Sequence, residues 1–136
     1  MQSRILLTIA FVLFTMSALQ AQTEHWVLVS SLTEPSAVTI YLDDANIISE
    51  DGYMGYKIRT VYADSFDATD ASGTNFQLRA RIAVFEINCS TNAGRGKRVA
   101  DEDINGISHP NDMIWRTIDK PPASVTLAIV KARVCK

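Results

Sequence analysis

The stretch NFQLRARIAVFEINC, residues 75–89, decides how this chain folds. Phe76, Leu78, Ala80, Ile82 and Val84 fall on one face of an extended segment, and Gln77, Arg79, Arg81, Ala83, Phe85, Ile87 and Cys89 on the other. That period of two is the signature of a β-strand. The second face changes from basic to apolar as it nears Cys89. An apolar strand end needs cover, so another element is expected over Phe85 and Ile87, on the side where Cys89 also lies.

The chain holds one other cysteine, Cys135, at the second-to-last position. Its chemistry follows from the start of the sequence, MQSRILLTIAFVLFTMSALQAQ, residues 1–22. Arg4 precedes the apolar run Ile5 to Phe14, and small or polar residues follow around Ser17, Ala18 and Ala21, the plan of a secretory signal peptide. Cleavage is expected after Ala21, with Ala18 the alternative, giving a signal peptide of residues 1–21 and a domain of residues 22–136. Thr8, Thr15, Ser17 and Gln20 break the apolar run well short of the roughly 20 residues a membrane span wants. No cysteine follows the run to accept a lipid. The expected location is periplasmic or secreted, with no lipid anchor and no stable membrane span after cleavage. Two cysteines in an exported domain allow one intramolecular pairing, Cys89 with Cys135. Closing that loop would stabilise the fold by roughly 4 kcal/mol in the chain-entropy model.

Working outward from residue 75, HWVLVS (25–30), AVTIYLDD (37–44) and GYKIRTVYAD (55–64) read as strands. SFDATDASGT (65–74) is rich in Asp, Ser, Thr and Gly and reads as an exposed loop. STNAGRGKR (90–98) reads as a turn, VADEDING with ISHPND (99–112) as a weak strand and loop, and MIWRTID (113–119) as a short strand. Lys120, Pro121 and Pro122 break regular structure. In the closing ASVTLAIVKARVCK the β-branched residues favour a strand. Against that, Ser124 is a good N-cap, and Val125, Ala128, Ile129, Ala132 and Cys135 share a face at helical spacing. The segment is read as a helix.

With 136 residues, 13 basic and 15 acidic, the chain fits one domain and carries no field that would draw nucleic acid. The order of motifs resembles the bacterial surface-adhesin protein E family. The resemblance rests on HWVLV, VTIYLDDANI, FEINCSTNAGRGKRV, IWRTIDKPPAS and the closing RVCK, and spans nearly the whole mature chain. It implies an α+β fold: an antiparallel sheet of about six strands with a C-terminal helix packed on one face and tethered by the Cys89–Cys135 disulfide. The family's named member is a lipid-anchored adhesin that binds host matrix proteins and haem, whereas this sequence lacks the acceptor cysteine for an anchor.

Two stretches resemble binding motifs. In DEDINGISHPND, Asp101, Asp103, Asn105 and Gly106 fit the opening of a calcium loop, and Asp112 stands where a bidentate Glu is expected. The preceding GRGKRVA is no entering helix and Pro110 interrupts the loop, so an acidic strand end is the plainer reading. Arg95, Lys97 and Arg98, interleaved with Gly94 and Gly96, could hold an anion on a glycine-rich turn, although a solvated hairpin turn explains them as well. Arg79 and Arg81 could form an anionic-ligand site with Lys57 or Arg59, or simply solvate the sheet. His25 and His109 read as surface residues. No nucleophile-base order stands out, and a disulfide would consume both thiols. The expectation is therefore a non-catalytic exported module, not an enzyme, with no cofactor, binding a host matrix or cell-envelope protein. The alternative is a periplasmic enzyme or calcium-dependent protein using the loop 101–112.

Overall fold

The computed structural model describes residues 23–33, 37–111, 116–118 and 125–136. Among them lie eight strands and one helix: β1 (Trp26–Leu32), β2 (Val38–Asp43), β3 (Ile48–Glu50), β4 (Tyr53–Thr69), β5 (Asn75–Asn88), β6 (Gly94–Asp103), β7 (Ser108–Pro110), β8 (Arg116–Ile118) and α1 (Val125–Val134). All strands join one antiparallel sheet along the path β1-β2-β4-β5-β6-β7, with β3 paired to β4 and β8 paired to β6. β2 and β3 both pair with the side of β4 away from β5, so they share one strand position. β7 and β8 likewise divide the outer side of β6. The eight segments thus fill six positions, close to the expected sheet. The expected signal peptide, residues 1–21, and the Lys-Pro-Pro break lie outside the described residues.

The decisive stretch forms β5, in the centre of the sheet. β4 and β5 make a long hairpin, paired from Tyr53↔Asn88 to Thr69↔Asn75. β4 therefore continues through residues 65–69, where an exposed loop is expected from composition. Backbone pairing with Asn75 to Leu78 gives residues 66–69 ladder partners, and it outweighs their weak strand propensity. The ladder breaks once: residues 62–65 of β4 face only Arg79, between the pairs Val61↔Ala80 and Phe66↔Leu78. The Arg79 guanidinium donates to the Ala63 carbonyl at that break, satisfying an acceptor that the ladder leaves open.

Directly opposed residues of an antiparallel pair share a face. Met54, Tyr56 and Ile58 thus stand with Ile87, Phe85 and Ala83 on one face, beside Leu42 of β2. The core cluster forms there: Val29, Leu42, Tyr56 and Ile87 are buried together with Val130 and Val134 of α1, and Phe85 and Cys89 pack against them. Tyr56 and Phe85 stack with centroids 5.7 Å apart, and burial pushes the Tyr56 phenol up to about 12. Cys89 and Cys135 are joined in a disulfide, as the cysteine arithmetic requires.

The run GRGKR is a correction. The residues expected to form a turn instead begin β6, with Gly94 opposite Ile87 and Gly96 opposite Phe85. A Cβ on Gly96 would stand 2.5 Å from the Phe85 ring, and one on Gly94 would stand 2.5 Å from the Glu86 carbonyl oxygen. The two glycines mark close approach to β5 rather than a bend. The turn itself is shorter and built on Asn88, whose side-chain oxygen accepts from the amides of Ser90 and Thr91.

Candidate functional site

The other face of the sheet carries Tyr53, Gly55 and Lys57 from β4, opposed by Asn88, Glu86 and Val84 of β5. Arg95 of β6 extends the Glu86 column. Gly55 offers no side chain in the middle of this array, and a groove of about 970 Å³ opens over it. Its lining includes Ile48, Glu50, Asp51, Tyr53, Lys57, Val84, Glu86 and Arg95. Ile48 and Tyr53 keep large apolar surfaces exposed.

One wall of the groove is the tight β3–β4 hairpin. Asp51 and Gly52, at φ of 51° and 80°, both adopt the left-handed conformation that a two-residue hairpin demands. The Asp-Gly pair signals such a turn in sequence, but the three-residue β3 before it is too short to show alternation. The cations of the groove have acidic partners: Lys57 Nζ lies 2.7 Å from Glu24 Oε1, just before β1, and Arg95 Nε donates to Glu86 Oε2 at 2.7 Å. That pairing holds the Arg95 guanidinium above its ordinary range. The carboxylates of Glu50 and Asp51 at the rim give the groove an acidic edge.

The expected anion site therefore takes a different form. Arg95 faces Glu86, while Arg98 lies 3.7 Å from Asp101. The backbone of Lys97 pairs with Val84; its side chain lies outside the described residues. Nor do the other cations gather. Arg59 forks onto Glu102 at 2.6 and 3.1 Å, while Arg81 donates to Asp101 at 3.1 Å. Arg59 stands opposite Ile82 and Arg81 opposite Thr60, in adjacent register positions, so they project from opposite faces.

The stretch from Asp101 takes the plainer expected form, an acidic strand end and turn. Asp101 and Asp103 belong to β6, and residues 108–110 form β7, so residues 101–110 make a hairpin rather than a loop between helices. Asp101 is 1% exposed and accepts from Arg81. Asp103 Oδ1 accepts from the amides of Asn105 and Ile107, at 2.8 and 3.0 Å, which caps the turn that Gly106 completes at φ 78°. Asp112 lies outside the described residues. Among the described residues no three His, Cys, Asp or Glu side chains are placed to hold a metal ion.

The two histidines have partners. His25 Nδ1 lies 2.6 Å from Asp44, beside the buried Asp43, which accepts from the His25 amide and the Asn46 side chain. His109 reaches two carboxylates from separate turns, Asp70 and Asp103. Sequence reading passed over this cluster because Asp70 and His109 are 39 positions apart and no local motif joins them. No protein-family model, no curated protein and no solved structure matches the chain.

Proposed function

We propose that the chain is an exported, non-catalytic binding module that takes an extended segment of a partner protein into the groove over Gly55. The observation that carries this reading is the groove itself, about 970 Å³ on an exposed sheet face. Apolar walls from Ile48, Tyr53 and Val84 suit a bulky side chain. Lys57 and Arg95 already have acidic partners, so the charge offered to a ligand comes from Glu50 and Asp51. The complementary segment pairs a Lys or Arg with a large apolar residue. A host matrix or cell-envelope protein can supply such a segment, and the resemblance to the surface-adhesin protein E family supports the same reading.

In this proposal α1 packs over the opposite face of the sheet as a disulfide-tethered cover. Its support is the burial of Val130 and Val134 with Leu42 and Ile87. Nuclear Overhauser contacts between the methyls of these residues check it. The disulfide fits an oxidising compartment, and protease accessibility on intact cells distinguishes a surface location from a periplasmic one.

Panning a phage-displayed peptide library against the oxidised protein tests the groove. Enriched peptides should combine a basic with a bulky apolar residue and shift the amides of residues 48–57 and 84–86. Gly55→Leu, which fills the groove, and the pair Glu50→Lys with Asp51→Lys should each weaken binding by roughly tenfold or more. Shifts that cluster elsewhere, or binding indifferent to all three substitutions, would refute the assignment.

A further inference from the structure

At the far end of the β4–β5 hairpin, one imidazole joins two turns. Asp70 begins the β4–β5 turn. Its Oδ1 accepts from the Ser72 amide at 2.9 Å, the Ser72 hydroxyl at 2.6 Å and the Thr74 amide at 2.9 Å. Its other oxygen lies 3.2 Å from His109 Nδ1. Asp103 plays the matching part in the β6–β7 turn, with Oδ1 on the amides of Asn105 and Ile107 and Oδ2 3.1 Å from His109 Nε2. Each aspartate thus shapes its own turn with one oxygen and gives the other to the same ring.

The ring is held in place by Phe76, stacked on it with centroids 3.9 Å apart and planes 3° from parallel. The side chains of His109, Asp70 and Asp103 are 14%, 11% and 10% exposed, so water competes little for these bonds. Neighbouring charges are engaged elsewhere: Asp67 with Gln77, Asp101 with Arg81 and Arg98, and Glu102 with Arg59. On β5 the ring meets the face of Phe76, and Arg81 is held by Asp101.

A carboxylate only accepts, so both nitrogens of His109 must carry a proton for both bonds to form. The neutral ring donates from one nitrogen alone, and its second nitrogen would face a carboxylate lone pair to lone pair. We propose that His109 is a pH-operated latch: as imidazolium it ties the β4–β5 turn to the β6–β7 turn, and on releasing a proton to solvent it frees one of them. The bonds to Asp103 and Asp70 favour the charged ring and raise its pKa above the ordinary 6.5. The latch therefore closes on the acid side and loosens as pH rises through that raised value.

The test follows the ring and the two turns together by nuclear magnetic resonance on the full oxidised protein. Two amides report on the turns: Asp70, which donates to Thr74 at 2.9 Å, and Ile104, which donates to Gln77 at 3.0 Å. The His109 ring should titrate above 6.5, with one of these amides losing exchange protection through the same midpoint. The loss should be about tenfold for each unit by which the ring pKa exceeds its ordinary value. His109→Gln should abolish the pH dependence of protection at both amides. A ring titrating at or below 6.5 overturns the latch, as does protection that ignores the ring's midpoint. Should His109→Gln fail to fold, the coincidence of midpoints in the unaltered protein decides.

Discussion

The two ends of β5 are fastened by different chemistry. At its C-terminal end Cys89 is bonded covalently to Cys135, beside a cluster of buried apolar side chains. At its N-terminal end the polar turn around Asp70 is held by His109 and by Phe76 stacked on that ring. The first fastening responds to redox potential and hardly to pH; the second responds to pH and not to redox. The difference follows composition. Residues 85–89 bring apolar mass to a covalently closed end, whereas residues 65–74 bring Asp, Ser and Thr, which can be ordered only through hydrogen bonds and charge.

The largest expected effect comes from opening the covalent end. Replacing both Cys89 and Cys135 with Ala should cost about 4 kcal/mol of unfolding free energy, read from urea denaturation, because the closed loop spans 46 residues. A loss of a few tenths would mean that the apolar cluster alone holds this end. Leu42 is fully buried in that cluster, and Leu42→Ala should cost about 3 kcal/mol in the same assay.

Gly94→Ala should cost about 2 kcal/mol, since the new Cβ would meet the Glu86 carbonyl oxygen at 2.5 Å. Gly55→Ala is the matched control: its Cβ would find ordinary contacts from 3.6 Å outward, and its stability change should stay within about 0.5 kcal/mol. Equal costs at the two sites would contradict the distinction between a close strand approach and an open groove.

The smallest global effects belong to the ionic end, where the pH profile is the sensitive readout. His109 has a raised pKa, so its contribution is fully present below 6.5 and disappears as pH rises through the folded value. Asp70 is held down to about 2, chiefly by its Ser72 and Thr74 bonds, so its contribution is present above 3.8 and disappears as pH falls towards 2. Asp103 is lowered too, with His109 the leading cause. Stability from this end should therefore peak between about pH 4 and 6.5. Thermal melts across pH should show His109→Gln losing the alkaline decline and Asp70→Asn losing part of the acid one. The two ends of β5 stand roughly 40 Å apart at strand rise. The Cys89 and His109 effects should accordingly add; strong coupling would mean that the sheet transmits strain between its fastenings.

Much of the fold was legible where neighbours in sequence decide the outcome. The alternation of residues 75–89 marked a strand, its apolar end lies with the cluster at Phe85 and Ile87, and the cysteine pair had only one partner choice. The helical spacing from Val125 to Cys135 agrees with α1. The groove was less legible, because it is made by an absent side chain at Gly55 and by a hairpin whose only local mark is Asp51-Gly52. The run around Gly94 and Gly96 misled in the other direction. Glycine favours turns in isolation, yet here it makes room for Phe85 across the ladder.

By itself, then, the sequence determined strand periodicity and the disulfide partner, which depend on spacing along the chain and on a single available pairing. Tertiary structure alone decided that Arg95 meets Glu86, that Gly96 lies under Phe85, and that His109 stands between Asp70 and Asp103. Those contacts depend on strand register, where a shift of one residue turns every side chain to the opposite face. Register is selected by the whole set of buried partners at once, so no single segment carries it.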